Sequence, residues 1–149
     1  MSKHEEADLI LKLYDLRREP TIRKAREWYF RDFNPQSVAD VSAALFGEQS
    51  GYLRMVWSYW DMAAALVNHG SISWELFNDT NGEHIAVFLK MEPILAAARA
   101  EINPHLLVNV EKLIDAMPEG RAKLDGMRER MKEVRAKMAA PGAQASSKN

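Results

Sequence analysis

Apolar residues recur along this chain at helical spacing, and no stretch of β-branched residues alternates as a half-buried strand requires. The densest stretch is Gly51-Tyr-Leu-Arg-Met-Val-Trp-Ser-Tyr-Trp-Asp-Met-Ala-Ala-Ala-Leu-Val-Asn-His-Gly70. Ser50 can accept from the free amides of a first turn, which predicts an N-cap. Gly70 can take the left-handed backbone that ends a helix. Between them Leu53, Val56, Trp57, Trp60, Ala63, Ala64 and Val67 form one apolar face. Met55, Tyr59, Met62 and Leu66 form a second beside it. Only Arg54, Ser58, Asp61, Ala65 and Asn68 make a narrow polar stripe. A surface helix shows one apolar face, whereas a helix apolar on most sides must be surrounded. The pattern predicts a central buried helix over Ser50–Asn68 with other helices packed round it.

The flanking segments supply those neighbours. Glu5–Arg18 carries Leu9, Ile10, Leu13 and Leu16 on one face, with acids early and bases late, as the helix dipole favours. Pro20 ends it and suits the first turn of the next helix, Thr21–Phe33, where Ile22, Ala25, Tyr29 and Phe33 share a face and Arg23, Lys24, Arg26 and Arg31 cover the rest. Asn34-Pro35 has the cap-plus-proline form that opens a short helix through Phe46. Ser73 caps another short one, with Trp74 and Phe77 expected inward. Thr80 and Glu83 have capping-box spacing and open a helix to about Ile102, which Pro93 should kink. Asn103-Pro104 repeats the cap-plus-proline opening for a helix that ends near Met117.

The last helix, Arg121–Ala139, has a different pattern. Its apolar residues are Leu124, Met127, Met131, Val134 and Met138, in alternating steps of three and four, which is a heptad seam. Such a narrow stripe suits a two-helix seam better than a globular core. The other half of the seam would come from a second copy, as a homodimer, or from another helical protein. It could also come from Leu9, Leu13 and Leu16 of the first helix. Residues 140–149 are small and polar and are expected to be a disordered tail. The expected fold is all-α: one domain over residues 1–139, a helical bundle of about six to seven helices around Ser50–Asn68, with the long amphipathic helix over 119–139.

Composition narrows the function classes. At 149 residues a single domain with a real core is the natural size. A net charge of −1 recruits neither nucleic acid nor an anionic membrane by bulk attraction. Basic residues beside aromatics in Thr21–Phe33 read as a solvated face on an aromatic core rather than a nucleic-acid groove. With no cysteine there are no disulfides, thiol catalysts or thiolate metal sites. The N-terminus is polar and acidic, unlike a signal peptide, and the longest apolar run, Met62–Val67, is far short of a bilayer span. A cytoplasmic location is therefore expected.

Candidate chemistry is sparse. No glutamate has a histidine three residues later, which a carboxylate-bridged di-metal bundle requires, and no His-Glu-x-x-His occurs. Asp79, Asn81 and Glu83 copy the first ligand positions of an EF-hand loop, but the required glycine falls on His84 and the final glutamate on Lys90. His69 sits at a helix C-terminus and His84 in a first turn, both with capping or surface explanations. No metal site, cofactor or catalytic residue is implied. Asp61 interrupts the richest apolar run, and a buried carboxylate needs a partner or a shifted pKa. It is either a pocket acid or ligand contact, with Arg54, Asn68 or Tyr59 as neighbours, or one end of a structural ion pair with an arginine from a neighbouring helix, or simply exposed along the polar stripe. On the last helix, basic residues mixed with acids read as a solvated face.

The blocks Tyr59-Trp-Asp-Met-Ala-Ala-Ala-Leu-Val-Asn-His-Gly70, Leu76-Phe-Asn-Asp-Thr-Asn-Gly-Glu-His84 and Asn103-Pro-His105 resemble a group of bacterial hypothetical proteins and domains of unknown function. The resemblance spans roughly Trp28–Ile114. It implies a bacterial, cytoplasmic, all-helical domain and transfers no activity.

The leading expectation is a non-enzymatic interaction module that self-associates through the Leu124–Met138 seam. Next is a small-molecule binding or sensing domain with its pocket beside Trp57, Tyr59, Trp60 and Asp61, since aromatics with one placed charge suit such pockets. A metal-dependent hydrolase using His69, His84 and Asp79 is the remaining alternative.

Overall fold

The ends of the helices show most directly how this chain folds. A computed structural model describes residues 2–139; the tail expected over 140–149 lies outside the described residues. Helix α1, Lys3–Arg18, opens on a capping box in which the Ser2 hydroxyl accepts from the Glu5 amide at 3.2 Å. Glu19 closes α1 and opens α2, Pro20–Arg31, its carboxylate accepting from the Ile22 amide at 3.0 Å. The corner between them is therefore one residue wide, and Pro20 occupies the first turn, where its missing amide costs nothing.

The next start differs from expectation. Helix α3, Val38–Leu45, is capped by Ser37 and not by Asn34. Asn34 instead folds back on the end of α2, its side-chain amide donating to the Arg31 carbonyl. Helix α4, Ser50–Asn68, begins one residue earlier than the capping pattern implies, with Gln49 as N-cap and the Ser50 hydroxyl buried without a partner. Its end is as expected: Gly70 has φ +84°, left-handed backbone that a side chain would strain.

Ser73 caps the short α5, Trp74–Thr80, through the Leu76 amide. Phe77 is fully buried, but Trp74 faces outward at 37% exposure. Helix α6, Glu83–Met91, runs through a 3-10 turn at Glu92–Ile94 into α7, Leu95–Glu101. The tighter turn is the kink that Pro93 imposes, since it can neither donate to the helix ladder nor fit behind the preceding turn. Asn103-Pro104 does not open the next helix. Asn103 makes a turn with the His105 amide at 2.9 Å, and α8, Val108–Ala116, starts only after Leu107, whose backbone is left-handed at φ 53°. Helix α9 is Gly120–Ala139.

Helix α4 forms the middle of the molecule. It packs most extensively against α2 and α8, and α3, α5 and α6 also touch it. Leu53, Val56, Trp60, Ala63 and Ala64 are buried, each large side chain contributing about 2 kcal/mol when removed from water. The second apolar face is covered less completely: Tyr59 is buried, Met55 and Leu66 half-buried, and Met62 exposed. Helix α9 lies on α6 and α8, not on Leu9, Leu13 and Leu16 of α1. Pro20 turns α1 onto α2 instead, and Tyr59 of α4 takes up its backbone by donating to the Leu13 carbonyl. The described residues contain helices and no strand, a single all-α fold.

Gly120 starts α9 against the end of α8. A Cβ there would stand 1.8 Å from the Ile114 carbonyl oxygen, a backbone atom that cannot swing away. Gly120→Ala is expected to lower stability by about 2 kcal/mol or more. An unchanged urea midpoint would show that α9 shifts freely at this joint.

Candidate functional site

The four residues expected around one pocket lie on different sides of α4. Successive residues are about 100° apart round a helix, so Trp57, Tyr59, Trp60 and Asp61 meet different neighbours. Trp57 and Asp61 border a cavity of about 370 Å³, with Arg54, Ser58 and the Ile102–Leu107 turn around it. Inside the core, the Trp57 indole donates to the Tyr29 hydroxyl at 3.4 Å. Tyr59 faces α1. Trp60 faces α6, its indole donating to Glu83 at 2.9 Å.

Asp61 is half-buried and fully engaged. One carboxylate oxygen accepts from the Asn109 amide at 2.9 Å and the Val110 amide at 3.1 Å. The other accepts from the Asn109 side chain at 3.0 Å. These amides open α8, whose own preceding residue, Leu107, has no side chain able to cap. Asp61 therefore does the work of an N-cap from another helix, and its charge faces the positive end of the α8 dipole. The partner is a helix terminus and not an arginine.

Glu83 is a second junction. Its two oxygens take the Arg26 guanidinium as a fork at 2.8 Å each, while the Trp60 indole shares one of them. One carboxylate thus ties α2, α4 and α6 together, and it holds Arg26 firmly protonated. This explains why the Thr80/Glu83 capping box does not form. The Thr80 hydroxyl donates back to the Leu76 carbonyl at 2.8 Å instead.

Lys90 has a comparable role at a C-terminus. Its ammonium donates to the Tyr29 and Phe33 carbonyls at 2.6 Å each and to Phe30 at 3.3 Å, covering the end of α2. Burial, with Arg135 of α9 nearby, pulls its pKa down to about 8. Nothing in the local sequence marks Asp61, Glu83 or Lys90 for these roles, because each caps or pairs with a segment remote in the chain.

His84 is wholly buried. Phe77 packs against its ring edge-on at 5.0 Å and Trp60 lies at 6.0 Å. Neither ring nitrogen has a hydrogen-bond partner, and burial pushes the pKa down to about 4. The imidazole is neutral at pH 7 and packs as an aromatic ring. His69, His105 and Asp79 are exposed. Among the described residues, no group of three His, Cys, Asp or Glu side chains could hold a metal ion, so His69, His84 and Asp79 do not form the centre a hydrolase would need.

The seam of α9 divides in two. Leu124 is buried at 1% exposure, and Met127 and Met131 are half-buried against the core. Val134 and Met138 are 54% and 73% exposed. Arg128 clamps the covered part by pairing with Glu92 in the 3-10 turn and Asp125 on its own helix. No described helix is long and apolar enough to cross a membrane.

The family model for a domain of unknown function, DUF4760, matches residues 4–117, and the chain belongs to that family. Helix α9 lies beyond the matched residues. Neither the curated proteins nor the solved structures contain a match to the chain.

Two outcomes follow from these contacts. Asp61→Ala should cost about 1–2 kcal/mol, because the α8 amides lose their only side-chain acceptor, and Asp61→Asn should cost less. Equal midpoints for wild type and Asp61→Ala would show that the cap is dispensable. For His84 the unfolded pKa is near 6.5 and the folded value about 4, so the unfolded chain binds the extra proton. Stability is then full above about pH 6.5 and falls by up to about 3 kcal/mol as pH drops to 4. Denaturation curves across that range should lose this component in His84→Phe; a slope identical to wild type would assign the acid sensitivity elsewhere.

Proposed function

We propose that this DUF4760 protein is a non-enzymatic helical module that forms a homodimer through the far half of α9. The supporting observation is the seam itself. Five apolar residues keep one heptad stripe, yet the body of the protein covers it only as far as Met131. Val134 and Met138 continue the stripe into solvent, flanked by Glu133, Arg135 and Lys137. Apolar seam residues between mixed charges are what a second copy of the same helix can bury while pairing opposite signs. The covered half, fixed by Leu124 and the Arg128–Glu92 pair, holds the exposed half in a defined direction, which lowers the entropy cost of association. The proposal sets the protein in a bacterial cytoplasm, in keeping with the sequence resemblance.

Small-molecule binding is the second reading, favoured by the cavity of about 370 Å³ beside Trp57, Asp61, Arg54 and His105. That volume lies within the usual range of ligand pockets. Against it, the Asp61 carboxylate is already occupied by α8, and Tyr59 and Trp60 do not line this cavity.

Native mass spectrometry of tag-free protein tests both readings together. A dimer with no added mass is expected, and V134E/M138E should convert it to a folded monomer, because neither side chain is part of the core. A wild-type monomer would rule out self-association. Retained mass on that monomer would favour the cavity.

A further inference from the structure

The corner between α1 and α2 gathers four arginines, three of them without a salt-bridge partner among the described residues. Arg17 and Arg18 come from the last turn of α1, and Arg23 and Arg26 from the start of α2. With Tyr14 they line a cleft of about 380 Å³. Arg26 is neutralised by its fork with Glu83. Arg17, Arg18 and Arg23 form no ion pair among the described residues. Of the acids nearby, Glu27 pairs with Arg31, Glu19 keeps its charge while capping α2 through the Ile22 amide, and Asp15 forms no ion pair with these arginines.

Like charges gathered this way repel one another, and the scaffold holds them in place. The Arg17 guanidinium stands 5.3 Å from the Trp60 ring and 5.5 Å from the Tyr14 ring, and Arg18 stands 5.6 Å from Tyr14. These cation–π contacts orient the groups without neutralising them. Pro20 fixes the corner, and Glu83 fixes Arg26 and Trp60 behind it. The result is a pre-arranged set of planar donors around a concavity. Guanidinium forks bind phosphate oxygens two at a time, and several guanidinium groups without a salt-bridge partner match a multiply charged anion better than a single carboxylate.

We propose that this cleft binds the phosphate group of a phosphorylated ligand, with Arg17, Arg18 and Arg23 as its principal donors. The cleft volume suits a small molecule, although the same chemistry is carried by a phospholipid headgroup. The lining of this cleft contains no residue of α9, and its test reads phosphate binding and not oligomeric state.

The test is calorimetric titration of the full chain with inorganic pyrophosphate, alongside sedimentation with phosphatidylcholine vesicles with and without phosphatidic acid. Arg18 and Arg23 are exposed, so R18Q/R23Q keeps the fold, which circular dichroism checks. Pyrophosphate should bind wild type more weakly as salt rises, and R18Q/R23Q should bind about tenfold or more weakly than wild type. The double variant K123Q/R130Q on α9, with the same change in charge, should bind as wild type does. Binding to phosphatidic-acid vesicles without binding of free pyrophosphate, if lost in R18Q/R23Q, supports the phosphate site and assigns its ligand to a headgroup. No binding in either format overturns the proposal, and so does an equal loss in K123Q/R130Q, which would reduce the effect to general charge.

Discussion

A helix of 19 residues with apolar side chains on most of its circumference cannot lie at a surface. Covering α4 dictates the rest of this architecture. Helices α2 and α8 take the largest shares of its surface, and α3, α5 and α6 take smaller ones. Surrounding one helix with several short ones brings many helix ends close to the core. Each end has backbone groups with no partner inside its own helix, and burying them unpaired is costly. The fold meets this need with side chains from elsewhere in the chain. Asp61 serves the start of α8, and Lys90 serves the end of α2. Glu6 of α1 reaches the Ser73 amide at 2.7 Å, where α5 begins.

These long-range contacts also shape the charge on the surface. Glu83 spends its carboxylate on Arg26 and Trp60, and the other arginines of the α1–α2 corner have no salt-bridge partner among the described residues. A chain whose net charge is near zero can thus carry a concentrated basic cleft, because charges are neutralised in pairs that the tertiary structure selects. Helix α9 is divided on the same principle. Its first turns are bound by packing and by Arg128, while along its last turns Val134 and Met138 of the same apolar stripe stay exposed.

The sequence by itself determined the all-helical class, the central place of α4, and the ends marked by Pro20, Gly70 and Ser73. All of these depend on residues within a turn or two of one another, where apolar period, proline and capping side chains act locally. The heptad pattern of α9 was legible for the same reason. Only the tertiary structure decided which carboxylate capped which helix. Thr80 and Glu83 have the spacing of a box, yet an arginine fifty-seven residues away in sequence competes successfully for Glu83. Asn103-Pro104 looks like a helix start, but Arg99 binds the Leu106 carbonyl at 2.9 Å and helps hold a turn there, so α8 waits for Asp61. Which half of the α9 seam is covered, and whether Trp57 and Trp60 share a pocket, depend on the placement of α6 and α8. Local pattern states what each segment can satisfy; the choice among competing partners is made only when distant segments meet.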